Sequence, residues 1–333
     1  MRLVPLALLL PSLLSAQTPR RPVNTYSIVA MDSVTGQIGA AVQSHWFSVG
    51  SVVTWAEPGV GAVATQSFVD PSYGPRGLYL MRSGMSAPAA LAALLRADPD
   101  SQVRQVAMID ASGAVAAHTG SRDIPAAGQQ VGTRYSVQAN LMRNDRVWPA
   151  MARAFESARG DLPARLLAAL DAGEAAGGDI RGRQSAALVV VSGDRNAKPW
   201  EKLFDLRVED HPDPLRELRR LVTVARAYRA ATDGDNYVTV GNMDSALASY
   251  RRASELLPDS ATGGELAYWV GVTLADQGRV DEAIPWFRRS FRLNRRIRRR
   301  RFCESRIDTR RCWSRRRMSI RSPSAIPKSS MSS

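Results

Sequence analysis

The chain has 333 residues, 44% of them hydrophobic, with a formal charge of +14 and two cysteines. That length exceeds one average domain, and two cysteines, Cys303 and Cys312, cannot supply a disulfide framework. The charge is local: residues 288–333 carry 17 Lys/Arg against 2 Asp/Glu, which leaves residues 1–287 at −1 and removes the case for a nucleic-acid-binding folded domain.

At the N-terminus Arg2 precedes an apolar run from Leu3 to Leu14, broken by Pro5, Pro11 and Ser12, with Leu14-Ser15-Ala16 as the cleavage site. Residues 1–16 read as an export signal, too short for a bilayer span, so a secreted or periplasmic protein free of the membrane is expected. Residues 17–24 (QTPRRPVN) form a short leader.

The stretch from Thr25 to Gln66 reads as two strand pairs. The first turns at Asp32–Gly36 and continues through residues 37–43; the second joins residues 52–56 and 61–65 through Glu57-Pro58-Gly59. These strands place Thr25, Ser44, His45, Glu57, Thr65, Gln66 and Ser67 near strand ends, and Ser27 on the same side as Thr25. A turn-rich loop at 68–75 leads to a helix over 76–82, and Ser86 caps a second over 87–97 with Leu91, Leu94 and Leu95 on one face. Strands over 105–110 and 114–119 flank the turn Ala111-Ser112-Gly113, and another covers 135–140. Helices over 147–158 and 162–172 meet at Gly160-Asp161, and strands over 184–191 and 202–208 follow. The expected fold class is α+β, two sheets face to face with helices outside.

Several motifs in order then suggest a family. Thr25–Asp32, the run from Gln43 to Gln66, Asp70-Pro-Ser-Tyr-Gly-Pro-Arg-Gly77, Arg104-Gln-Val106, His118-Thr-Gly-Ser121, Val137-Gln-Ala-Asn140, the stretch from Gly177 to Leu188 and His211-Pro-Asp-Pro214 resemble the bacterial domain-of-unknown-function family numbered 1028. The resemblance covers about residues 24–225 and implies membership of the N-terminal-nucleophile (Ntn) hydrolase superfamily, hence a four-layer αββα sandwich over residues 25–212.

That resemblance also implies a chemistry. A Thr opening the first strand attacks an amide carbonyl, and its own α-amine, with an ordinary pKa of about 7.7–8.0, serves as base. Thr25 is the candidate nucleophile, and cleavage after Asn24 is required to free its nitrogen. Ser44 and His45 bring a hydroxyl and an imidazole beside it, and Asn140 is a candidate oxyanion donor. Arg183, beside Arg181, is placed to hold a substrate carboxylate, with Gln66, Thr65 and Ser67 lining the pocket. Each has a plain structural alternative: a strand-opening Thr, a turn-capping Asn, a surface ion-paired Arg, and Glu57 as a solvated turn residue. His45, His118 and His211 lack His-x-x-x-His spacing, and the chain has no phosphate-binding Gly-rich loop and no Gly-x-Ser-x-Gly elbow, so no metal or other cofactor is expected.

After His211-Pro-Asp-Pro-Leu215 a helix is expected over 215–231, then a weak repeat. Gly241-Asn-Met-Asp-Ser-Ala246 matches Gly278-Arg-Val-Asp-Glu-Ala283 at an offset of 37, with Tyr250 opposite Phe287. Residues 213–294 resemble tetratricopeptide repeats, whose functional reading is a groove for a protein partner. The Arg/Ser-rich tail, 295–333, is read as disordered, a product of a shifted reading frame or else a cationic arm without a specific nucleic-acid ligand. Two functions follow: an exported amide-bond hydrolase acting on a small-molecule or peptide substrate, or a non-catalytic protein that recruits partners. A homo-oligomer is compatible with either.

Overall fold

The protein is described by a computed structural model at Val23 and residues 25–293. The expected export signal, the leader apart from Val23, and the Arg/Ser-rich tail lie outside the described residues. Two compact units divide after Val222.

The first unit opens with β1 (Thr25–Met31) and β2 (Ile38–Ser44), antiparallel, with Thr25 opposite Ser44 and Met31 opposite Ile38. The turn between them is set by Asp32, whose Oδ1 accepts from Val34 N at 3.0 Å, Thr35 N at 2.7 Å and Thr35 Oγ1 at 3.0 Å. β3 (Thr54–Glu57) and β4 (Gly61–Ser67) form the second pair. β3 begins later than expected because residues 49–51 take a 3-10 turn.

α1 (Tyr73–Arg82) starts three residues ahead of the expected position, since Pro75 falls in the first turn, where a backbone N–H has no intrahelical partner. α2 (Ala87–Ala97) is capped by Ser86, whose side chain accepts from Ala89 N at 3.4 Å. β5 (Arg104–Asp110) and β6 (Val115–Thr119) are joined by the expected turn. β7 (Gly128–Gly132) was not anticipated and pairs with β8 (Tyr135–Ala139) at a sheet edge. α3 (Val147–Ser157) and α4 (Leu162–Ala175) follow, the latter capped by Asp161, and then β9 (Ser185–Val191) and β10 (Lys202–Val208).

The strands make two antiparallel sheets, β10-β9-β2-β1-β8-β7 and β3-β4-β5-β6. Strand alternation explains their shared core: Val29, Ile38, Ala40 and Val42 from one sheet are buried with Ala62, Ala64, Ala107 and Ile109 from the other. The opposite parity of the four-stranded sheet, Val63, Val106 and Met108, is buried under Leu78, Met81, Leu91 and Leu94 of α1 and α2. α3 and α4 lie on the outer face of the six-stranded sheet, against β8 and against β1 and β2.

α5 (Pro214–Thr239) carries the chain into the second unit, which contains α6 (Met243–Leu256), α7 (Asp259–Thr262), α8 (Glu265–Asp276) and α9 (Val280–Leu293). α5 runs eight residues past the expected end at 231. Gly234, a weak helix residue, is retained because the Tyr250 ring packs on it: a Cβ there would lie 2.7 Å from Tyr250 Cε1. The same contact recurs 37 residues on, where a Cβ at Gly271 would meet Phe287 Cε1 at 2.9 Å. Ala246 and Ala283, the small residues of the repeat, are both buried. No described helix is long and apolar enough to cross a membrane.

Candidate functional site

Thr25 opens β1, flanked in the sheet by β2 and β8. Its parity turns it inward with Ser27 and Val29, and it is fully buried. Its hydroxyl donates to Val23 O at 3.0 Å and to Ser44 Oγ at 3.1 Å, alternatives for one proton. Thr25 N makes a long bond of 3.4 Å to Asn140 O, and Asn140 N returns one of 3.0 Å to Thr25 O. Thr25, Ser44 and Asn140 are thus adjacent at one end of three neighbouring strands.

Beneath them lies a layer of buried amides. Gln66 Nε2 donates to Thr25 O at 3.1 Å and to Gln105 Oε1 at 2.6 Å, while Gln66 Oε1 accepts from Ser27 Oγ at 2.7 Å. Gln105 Oε1 also accepts from Asn140 Nδ2 at 2.9 Å, and its own Nε2 donates to Thr119 Oγ1 and Ala139 O, both at 2.9 Å. Gln138 Nε2 reaches Ser27 Oγ at 3.2 Å and Ala64 O at 3.1 Å, tying the two sheets. A connected network of this kind holds each member in place, because an unpaired amide in a low-dielectric interior costs about 1–3 kcal/mol. Asn140 Oδ1 and Gln138 Oε1 are buried without a hydrogen-bond partner among the described residues.

Ser67 closes the other side. Its hydroxyl bonds Asp123 Oδ1, which also accepts from Ile124 N at 2.7 Å. Asp123 Oδ2 is buried with no hydrogen-bond partner among the described residues. Burial pushes the Asp123 carboxyl up to about 6, against the lowering effect of the Ser67 and Ile124 hydrogen bonds and of His118. Ser67 and Leu141, which follow the inward-facing Gln66 and Asn140, both hold the left-handed backbone region, at φ of 69° and 53°. Side chains other than glycine occupy that region at a cost, and such positions gather where function imposes a geometry.

The remaining candidates are not among the hydrogen-bond partners of Thr25 in the described residues. Thr65 has the opposite parity to Gln66, and its hydroxyl donates to Asp70 O at 3.3 Å. Arg183 is half-exposed and pairs with Glu174 at 3.6 Å and Asp213 at 3.7 Å. His45 follows Ser44, takes Asp179 Oδ2 on its backbone N–H at 3.2 Å, and lines an open pocket with Arg183, Gln184, Asp210, His211 and Pro212. Glu57, expected to be solvated, is buried and paired with Arg82 from α1. No group of three or more His, Cys, Asp or Glu among the described residues has metal-binding geometry.

Ser27 was noted in the sequence, but Gln105, Gln138 and Asp123 were not singled out. The available signal was parity: Ser136, Gln138 and Asn140 place three polar side chains on one face of a strand whose other face is Tyr135, Val137 and Ala139.

A family model with the description "Family of unknown function (DUF1028)" matches residues 25–218. Among solved structures the chain is similar to the crystal structure of protein SPO2555 from Silicibacter pomeroyi, which carries the same family model. The two share 32% identity over 61% of this chain and 86% of that one, with a TM-score of 0.55. No curated protein matches the chain.

Proposed function

The chain belongs to the DUF1028 family, and from that premise we propose that its first unit is an exported hydrolase of the Ntn type with Thr25 as nucleophile. The substrate is an amide of a small peptide-like molecule or acyl-amino acid. Two antiparallel sheets sharing one core, with helices on the outer face of each, are what an αββα sandwich requires, and they support this reading. In this mechanism cleavage after Asn24 frees the Thr25 nitrogen. The amine takes the proton from Oγ1 as Oγ1 bonds to the carbonyl carbon, then passes it to the departing amine as the C–N bond breaks. Water hydrolyses the resulting ester and restores the hydroxyl. Ser44 steadies the attacking oxygen, the Asn140 side chain is the candidate oxyanion donor, and His45 and Arg183 in the neighbouring pocket hold the far end of the substrate.

The observation that carries the reading is the position of Thr25: first residue of β1, hydroxyl 3.1 Å from Ser44 Oγ, and nitrogen at the end of the β1–β8 ladder. Mass spectrometry of the exported protein tests it. A mature chain beginning at Thr25 is expected, and one in which Thr25 stays within a peptide bond overturns it.

A second reading is favoured by one observation. Val23 and Ser67 exchange two backbone hydrogen bonds, and both Val23 and Thr25 are fully buried, as in a segment that stays in place. On that reading the first unit is a scaffold, and the second, with its tetratricopeptide-like repetition of Gly234–Tyr250 and Gly271–Phe287, recruits a protein partner.

A further inference from the structure

Val23, two residues ahead of Thr25, forms a backbone bridge with Ser67. Val23 N donates to Ser67 O at 2.7 Å and Ser67 N to Val23 O at 2.9 Å, the reciprocal exchange of a single antiparallel bridge. The Val23 side chain is fully buried within the core cluster shared by the two sheets. Its carbonyl also receives the Thr25 hydroxyl at 3.0 Å. A residue two positions ahead of the nucleophile therefore sits in a place built for a main chain and a small aliphatic side chain.

Ser67 is shaped for that pairing. It ends β4 in the left-handed region at φ 69°, a conformation that a non-glycine residue holds only at a cost. Its hydroxyl is anchored on the buried Asp123 carboxylate, which is held in turn by Ile124 N. The anchored side chain and the turned backbone fix where the Ser67 N–H and C=O point.

Release of the leader after Asn24 takes Val23 away from these groups. Ser67 O keeps the Val69 N–H at 2.7 Å, whereas the Ser67 N–H loses its acceptor, so a replacement must offer a carbonyl where Val23 O stands and can restore the second bond to Ser67 O with an N–H one extended residue away. A peptide does this by adding one paired residue to the end of a strand. An acyl chain that lacks the second amide offers neither group.

Building on the hydrolase reading, we infer that the main chain of Ser67 is a substrate-binding element and that the substrate is a peptide. The residue immediately before the one whose carbonyl is attacked pairs with Ser67 as Val23 does, and carries a side chain of valine size. The simple N-acyl amino acids allowed by the proposed activity are then poor substrates. No substitution at Ser67 removes its carbonyl, and proline, which lacks the N–H, cannot adopt φ 69°, so the test alters the ligand.

The exported protein, with its N-terminus read by mass spectrometry, is given acetyl-Pro-Val-Asn-4-nitroanilide, the same compound with N-methylvaline, and acetyl-Asn-4-nitroanilide. Removing the one N–H that would donate to Ser67 O is expected to lower kcat/KM by about tenfold, and the shortest compound is expected to fall further. Calorimetric titration with the product peptide acetyl-Pro-Val-Asn and its N-methylvaline form reads binding apart from turnover, with the same tenfold difference expected in Kd. Equal turnover of the first two compounds overturns the Ser67 assignment while leaving Thr25 hydrolysis standing. Binding that discriminates tenfold without any turnover upholds the assignment and removes the hydrolase. Failure to bind either peptide overturns the assignment whatever the mature N-terminus proves to be.

Discussion

The Thr25 hydroxyl stands 3.1 Å from the Ser44 hydroxyl, directly opposite it in the β1–β2 ladder. Both side chains are fully buried, and the Thr25 hydroxyl has Val23 O, at 3.0 Å, as its other acceptor. Thr25→Ala is expected to reduce amide hydrolysis by about 10³-fold or more, while the lost hydrogen bond lowers stability by only about 1 kcal/mol. Ser44→Ala has a similar effect on stability and a smaller effect on rate. Paired rate measurements and thermal melts check both, and full activity in Thr25→Ala removes the nucleophile.

Gln105 is the hub of the buried layer, accepting from Gln66 and Asn140 at one oxygen. Gln105→Leu keeps the volume but leaves both donors facing hydrocarbon, an expected loss of about 2–4 kcal/mol. Chemical denaturation is the measurement. A change below about 0.5 kcal/mol would show that the layer contributes little rigidity.

Asp123 makes stability depend on pH in a predictable direction. Burial raises its carboxyl to about 6 in the folded chain, above the ordinary value of about 3.9. The folded state then binds the proton more tightly than the unfolded state does. Below about pH 4 both states are protonated and the group costs nothing; between about 4 and 6 a penalty grows, reaching about 3 kcal/mol above that range. Asp123→Asn removes the penalty, so the stability of the wild type relative to the variant should fall as pH rises from 4 to 7. Denaturant midpoints at pH 4, 5.5 and 7 read this, and a constant difference contradicts it.

In the second unit Gly234→Ala and Gly271→Ala should destabilise in parallel. An exposed helical glycine replaced by alanine gains about 1 kcal/mol of helix propensity. Here the new methyl would stand 2.7 Å from the Tyr250 ring and 2.9 Å from the Phe287 ring, and overpacking costs about 1–3 kcal/mol. Far-UV thermal melts of both variants should shift downward; a rise in either shows that its aromatic ring can move aside.

How much of this was legible depended on how local the cause is. The turn at Asp32 and the caps at Ser86 and Asp161 follow from side chains bonding to backbone two or three residues on, and all were readable. The 37-residue repeat was readable because Gly241 and Gly278 open equivalent helices with the same left-handed geometry. β7 was missed because Gly-Gln-Gln-Val-Gly has no apolar alternation and is a strand only through its pairing with β8 at the sheet edge. Glu57 looked like a turn residue because Arg82, its partner, lies 25 positions away.

The order of residues by itself determined the alternation that sets Ser27 on the side of Thr25, the capped starts of α2 and α4, and the polar character of the strand ends around Thr25. Only the tertiary structure decided which inward side chains meet. Ser27 and Gln66 are 39 residues apart, and Gln138 and Ser27 are 111 apart. The physical reason is range: dihedral preference and capping act within a turn of chain, whereas a hydrogen bond between sheets forms only where long-range packing brings donor and acceptor together and excludes water.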